Sequence, residues 1–327
     1  SANNTIGGLS ATERNIISGS GFSGIVLFGV GATGNQIQGN YIGTDISGTL
    51  AKGNNQEGIE IQDASGNTIG GTAAGARNII SANRSDGMEI DNGDNNIIQG
   101  NYIGTDVTGT VMLGNLRDGI DLNENVGDGA TGNLIGGTDP NAANLIAGNG
   151  MYGIEVRDAP TINNTILGNR IYNNGLIGIQ LTTDGGVTLN DAGDIDADSN
   201  NQQNFLVLSV ADTNTVDTIV IDGTLNSTAD SYFRIEFFAS SAADGSGYGE
   251  GETYLGHVNV ATDGSGNASF SASLSAAVAN GAVISATATR SDATYTTFTD
   301  TSEFSANITA QANYPAAATD DPQTWSG

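Results

Sequence analysis

The chain has 327 residues, 48 of them glycine and 4 proline, with 36 acidic against 9 basic side chains and a formal net charge of −27. So acidic a balance argues against nucleic acid and anionic membrane surfaces as partners, since both repel it. The absence of cysteine excludes disulfides, thiolate metal sites and a cysteine nucleophile.

Abundant Gly, Asn, Thr, Asp and Ile, with little Lys or Leu, predicts β structure with many tight turns, and the length suits two domains. No apolar run reaches the length of a membrane span, so membrane insertion is not expected. The chain opens on Ser1-Ala2-Asn3-Asn4 and enters a repeat at once without a signal peptide, as a processed or excised piece would.

Three short patterns alternate over residues 1–182, always in the order A, B, C. Pattern A is Gly-Ile-x-Ile/Leu or a close variant, starting at Gly24, Gly58, Gly87, Gly119, Gly153 and Gly178. Pattern B is an apolar-centred Asn-x-Ile starting at Asn4, Asn35, Asn67, Asn96, Asn133 and Asn164; pattern C is the same motif at Asn15, Asn40, Asn78, Asn101, Asn144 and Asn169. Each predicted strand carries one or two inward apolar residues at period two, too few to bury a face alone. Winding A, B and C into one coil and stacking the coils at roughly 4.8 Å puts Ile on Ile and pairs every backbone group with the coil above and below. The asparagines fall at the corners, where they are expected to take left-handed backbone and to bond the same Asn one coil away. The stretch GNYIGTD, at Gly39–Asp45 and again at Gly100–Asp106, marks every second coil, where the following loop (46–54, 107–115) is longer.

With Asn35–Gly48 and Asn96–Gly109 reading N-x-I-x-G-N-x-I-G-T-D-x-x-G, the chain resembles secreted bacterial and archaeal proteins with parallel β-helix repeats of the pectate-lyase-like kind. The resemblance implies a parallel β-helix of about six coils followed by an immunoglobulin-like module, and the crossover rule makes the helix right-handed. It implies a fold more than an activity, since such repeats serve lyases, hydrolases, epimerases, adhesins and scaffolds.

After Leu181 the repeat fades, and residues 190–203 read as a polar acidic linker. From Phe205 apolar/polar alternation predicts seven strands (205–210, 218–223, 232–239, 253–261, 268–274, 282–289 and 303–308) of an antiparallel, immunoglobulin-like sandwich. The domains expected are therefore a β-helix with its linker over 1–203, a sandwich over 204–310, and an extended tail over 311–327.

Two acidic groups are candidate cation sites. Between the inward residues of the A strands lie Val26, Glu60, Glu89, Asp121, Glu155 and Gln180, all expected to face solvent, so four consecutive coils stack a carboxylate. Neighbouring charges at that spacing repel by about 1 kcal/mol in water and more at a shielded surface, a repulsion that Ca²⁺ would relieve. Hydration and salt screening are the alternative, the stripe then serving only solubility. The linker offers a second group, Asp191, Asp194, Asp196 and Asp198, whose alternation puts oxygens on one side of an extended loop; it lacks the Gly and Glu of an EF-hand loop.

An enzyme is not expected. Lys52 is the only lysine, His257 lies in the sandwich, and Arg84, Arg117 and Arg157 are the only basic groups expected near the A strands. The short loops wall off no deep groove, and Tyr41 and Tyr102 read as packing on corner loops.

Residues 3–22 hold a B and a C strand with no A strand before them, so the first coil is incomplete and presents Asn4, Ile6 and Ile17 at an uncapped edge. The tail, added to that edge as an extended strand with Tyr314 and Trp325 as anchors, would join copies head-to-tail. The function expected is an extracellular or cell-surface structural protein, a subunit of a microbial filament or scaffold. The alternatives are a polysaccharide lyase or other carbohydrate-active enzyme using the acidic face, and an adhesin binding extracellular glycan.

Overall fold

The computed structural model describes residues 1–312 apart from 125–126, 183–184 and 216. The chain is all-β, and its single helical element among the described residues is the 3₁₀ turn Ser199–Gln202. No helix there is long and apolar enough to cross a membrane.

Residues 5–180 build three parallel sheets of six strands each, one from each sequence pattern, stacked coil upon coil as in a parallel β-helix. Sheet A runs through Ile25–Phe28, Ile59–Gln62, Met88–Asp91, Ile120–Asn123, Ile154–Val156 and Ile179–Gln180. Sheet B begins at Thr5–Gly7 and ends at Thr165–Leu167; sheet C begins at Ile16–Ile17 and ends at Arg170–Tyr172. Register follows the repeat, with Ile37 on Ile69 and Ile69 on Ile98 in sheet B, and Ile42 on Ile80 in sheet C. These isoleucines are fully buried, so each coil becomes stable only through its neighbours.

Three corner ladders of asparagine accompany the sheets, one more than the two expected. In the first, Asn35 Nδ2 donates to Asn67 Oδ1 (2.9 Å), and the chain of bonds continues through Asn96, Asn133 and Asn164. The second links Asn40, Asn78, Asn101, Asn144 and Asn169. The third links Asn54, Asn83, Asn115, Asn149 and Asn174. Its signal is an Asn four residues before each pattern-A glycine, from Asn54 and Gly58 to Asn174 and Gly178. Left-handed backbone is not on the ladder asparagines of the coils but, along the first ladder, on the residue before each: Asn3, Gly34, Gly66, Asn95, Gly132 and Asn163; the final rung, Asn200, takes it itself (φ 48°). The ladder residue must keep ordinary dihedrals because its own N–H and side-chain amide both donate to the next Asn, as Asn35 does to Asn67.

GNYIGTD divides its work. Asn40 and Asn101 join a ladder, and Ile42 and Ile103 fill the core. Gly43 has φ 88°, and a Cβ there would lie 2.0 Å from the Ser81 carbonyl oxygen. Asp45 and Asp106 organise the long loops: Asp106 Oδ1 accepts from the N–H groups of Thr108, Thr110 and Val111 and from the Thr108 hydroxyl. The repetition is architectural.

The second part holds two antiparallel sheets around a shared core that includes Ile219, Ile221, Phe233, Ile235, Phe237 and Ile284. One sheet is Val207–Thr215, Thr218–Asn226 and Asn267–Leu274; in the other, Tyr232–Ser240 lies between Thr253–Ala261 and Val283–Ser291. The strand expected over 303–308 does not form. Short strands Phe298–Thr301 and Ile308–Thr309 flank it, and the stretch between them closes the last coil of the β-helix.

That closure uses polar groups where the final strands have no further coil. Asp300 accepts from the Asn163 N–H (2.7 Å), Glu236 from Gly168 (2.7 Å), and Glu303 from Leu181 (3.0 Å) and Thr188 (2.8 Å). Glu250 takes the last rung of the third ladder at Asn174, and Asn200 Oδ1 accepts from Asn164 N at the end of the first. Phe304 sits over Gly178 and packs edge-on against Phe238. The stretch expected as a solvated linker therefore contributes a buried rung at Asn200.

Candidate functional site

The carboxylates of sheet A are in register: Val26 beside Glu60, then Glu89, Asp121, Glu155 and Gln180. The column is not uniformly exposed, as its pattern alone suggested. Val26 is 49% exposed, Glu60 and Glu89 are half-buried, and Asp121 (0%), Glu155 (8%) and Gln180 (0%) are buried. Arg157 lies across the lower coils, its Nε donating to Asp121 Oδ1 (3.0 Å) and a terminal nitrogen to Oδ2 (2.6 Å), with Glu155 at 3.6 Å.

A second file of acids stands just before the pattern-A glycines and has a structural task. Asp86 Oδ1 accepts from the Asp118 N–H, and Asp118 Oδ1 from the Tyr152 N–H, each at 2.7 Å. Arg117 approaches Asp86 at 3.7 Å. At the top of the column the Ser23 hydroxyl lies 2.8 Å from both Glu57 and Glu60, though it has one proton to donate.

Burial and mutual repulsion raise these acids together. Glu89 is pushed up to about 8, chiefly by burial and then by Asp91, Glu57, Asp121 and Asp86. Burial likewise takes Asp118 to about 8, opposed by the Tyr152 N–H. It takes Glu155 to about 7, opposed by Arg157 and Arg117, and Asp91 to about 6. Arg117 and Arg157 are held more firmly protonated, Arg117 mainly by the charge of Asp86 and Arg157 mainly by its hydrogen bond to Asp121. Within the column, Asp121 and Glu155 share Arg157, whereas Glu60 and Glu89 have no arginine ion pair among the described residues.

The linker acids separate into two roles. Asp191, Asp194 and Asp196 each bring a carboxylate oxygen within 4.8 Å of the others, a spacing suited to a hard cation. Asp194 also accepts from Asn204 N (2.8 Å) and from the Ser227 hydroxyl, tying the group to the sandwich, while Asp196 has a buried oxygen without a hydrogen-bond partner. Asp198 stands apart from that group and accepts from Ser199 N (2.8 Å) at the start of the 3₁₀ turn.

At the other end of the coil, Asn4 Nδ2 donates to Asn35 Oδ1 (2.8 Å), and Ile6 and Ile17 are half-buried against the core. Tyr314 and Trp325 lie outside the described residues. An apolar group at this end was missed: Phe22, Val26, Phe28 and Val30, exposed by 73%, 49%, 68% and 89%. Its signal is the first A strand, Gly-Ile-Val-Leu-Phe, whose outward positions are apolar where the next three coils carry Glu-Gln, Glu-Asp and Asp-Asn. A scan against protein-family models finds no match to this chain, and a search of curated proteins finds none.

Proposed function

We propose that the chain is an extracellular structural protein: a right-handed β-helical stalk joined to an immunoglobulin-like module, serving as a subunit of a microbial surface filament or scaffold. The observation that carries this reading is the exposed apolar group Phe22, Val26, Phe28 and Val30 on the outer face of the first A strand, where the next three coils carry acids and amides. Apolar side chains gathered on one outer face mark a contact surface. Copies joined head-to-tail through this face would cover it, with the segment beyond Ala312 as donor. Gln311 is already paired to the sandwich, its N–H donating to Ala211 O (2.9 Å), so a clean truncation starts at residue 313.

Light scattering and negative-stain imaging test the idea. Wild type should form end-to-end oligomers, and Phe28→Asp and deletion of 313–327 should each give folded monomers. Wild type that stays monomeric at high concentration removes the support.

Calcium belongs to the same reading. Asp191, Asp194 and Asp196 between the two parts, and the acids around Glu89, are the groups a divalent ion would neutralise. Ca²⁺ should raise the unfolding temperature and EDTA lower it, with the shift reduced in Asp196→Asn, because a ligand of the native state stabilises by mass action. Identical melting curves would mean that both groups are only solvated.

A carbohydrate-active enzyme is the second reading, favoured by the raised Glu89. A lyase needs an unprotonated base, yet Arg117 and Arg157 are bound to carboxylates and firmly charged. Pectin and alginate should therefore not be turned over; Ca²⁺-dependent unsaturated products, lost in Arg117→Ala, would overturn the structural reading. An adhesin for surface glycan is a third.

A further inference from the structure

The corner between sheets B and C carries a different charge from the rest of the molecule. A groove of about 600 Å³ lies there, lined by Arg14, Thr72, Gly75, Arg77, Pro140 and Asn141 among others. None of its lining residues is acidic, in a chain with 36 Asp and Glu, and two of the nine basic residues face it. Such a concentration is not what even mixing of charges would place in one concavity.

Both arginines are held the same way. The guanidinium of Arg14 lies 4.1 Å from the centre of the Tyr41 ring, and that of Arg77 lies 3.9 Å from Tyr102. Arg14 Nε donates to Gly39 O (3.2 Å) and Arg77 Nε to Gly100 O (3.1 Å). The ring contact and this one bond hold each guanidinium, and the terminal nitrogens have no protein partner and no ion pair among the described residues. Arginine held over an aromatic ring with its terminal nitrogens unused is pre-organised for an oxyanion.

Arg14 precedes the sheet C strand of the first coil and Arg77 that of the third, two coils or roughly 9–10 Å along the axis. Since each is anchored to its own level, they do not close on one small anion. They match anionic groups on alternate units of an extended chain, and the small, polar wall of Thr72, Gly75 and Asn141 suits sugar hydroxyls. We infer that this groove binds a linear acidic polysaccharide, with Arg14 and Arg77 each taking a carboxylate or sulfate. The net charge of the protein opposes the approach only weakly, because fields beyond about 8 Å are screened at physiological salt. The inference does not depend on whether the chain assembles.

Calorimetric titration with a short oligogalacturonate, a sulfated heparin-derived oligosaccharide and a neutral malto-oligosaccharide tests it, and the first two arms tell carboxylate from sulfate. At least one anionic probe should bind, more weakly as salt rises. Arg14→Gln and Arg77→Gln should each weaken binding about tenfold, with Arg290→Gln in the sandwich as an unaffected control. Amide shifts of wild type on titration should fall at Thr72–Gly75 and Asn141, a readout that survives if a variant fails to fold. Failure of both anionic probes to bind, equal binding of the neutral sugar, or shifts confined to other surfaces would each overturn the inference.

Discussion

Asn101→Leu should destabilise the protein by about 3–5 kcal/mol, the largest loss expected from a single polar substitution in the coil. Asn101 Nδ2 donates to Asn144 Oδ1 (3.1 Å) and to the Ile69 carbonyl (2.9 Å). Its Oδ1 accepts from the backbone N–H (3.3 Å) and side-chain amide (2.9 Å) of Asn78. All three asparagines are fully buried, so leucine strands donors on one side and acceptors on the other where no water replaces them. Leucine also branches where the neighbouring coils carry a planar amide, so the loss exceeds that of removing one bond. The same change at Asn4, exposed at the first rung, should lower stability by less than about 1 kcal/mol. Denaturant melts of the two variants decide the matter. Equal losses would mean that the ladder is a by-product of coil geometry and contributes little to stability.

The second large effect is on pH. Glu89 and Asp118, raised to about 8, and Glu155, raised to about 7, keep protons in the folded state that an unfolded carboxyl, ionising near 4, has already released. Unfolding therefore releases protons between about pH 4 and pH 8, and stability must fall as pH rises through that window. Below it the sign reverses. Asp45, Asp106, Asp263 and Asp292 are held under the usual carboxylate range by loop N–H and hydroxyl donors, and their contribution is lost as pH falls below about 4. Stability should peak near pH 5. With a chelator present, the unfolding temperature at pH 8.5 should lie about 5 °C below that at pH 5.5, after allowance for solvent at the half-exposed members. Glu89→Gln should recover part of the difference at pH 8.5 and change little at pH 5.5. A melting temperature that rises from pH 5.5 to 8.5 would mean that the acids of sheet A are ionised and compensated, and that the repulsion assigned to them is absent.

Much of the coil was legible because it is repeated. Three apolar-centred patterns in constant order dictated three sheets, their strand register and the core, since Ile on Ile is the only burial available to strands this short. Two asparagine ladders followed from the same spacing. The third was present as Asn54, Asn83, Asn115, Asn149 and Asn174 before their glycines, and was missed because no strand follows it directly. The register of Glu60, Glu89, Asp121 and Glu155 was legible as well. The burial of Asp121 and Glu155 was not, because it involves Arg157, which does not repeat.

The contacts that close the β-helix belong to the tertiary structure alone. Glu303 reaches Leu181 across 122 positions, and Asp300 reaches Asn163 across 137. The cationic groove is likewise assembled from Arg14, Arg77 and Asn141, whose meeting depends on how far each coil rises rather than on any local motif. Composition and periodicity act over one coil at a time, and so determine strands, turns and stacking. A contact made once, between segments more than a hundred residues apart, leaves no period in the sequence. Only packing decides whether Phe304 fills an ordinary strand position or, as here, sits over Gly178 at the end of a coil.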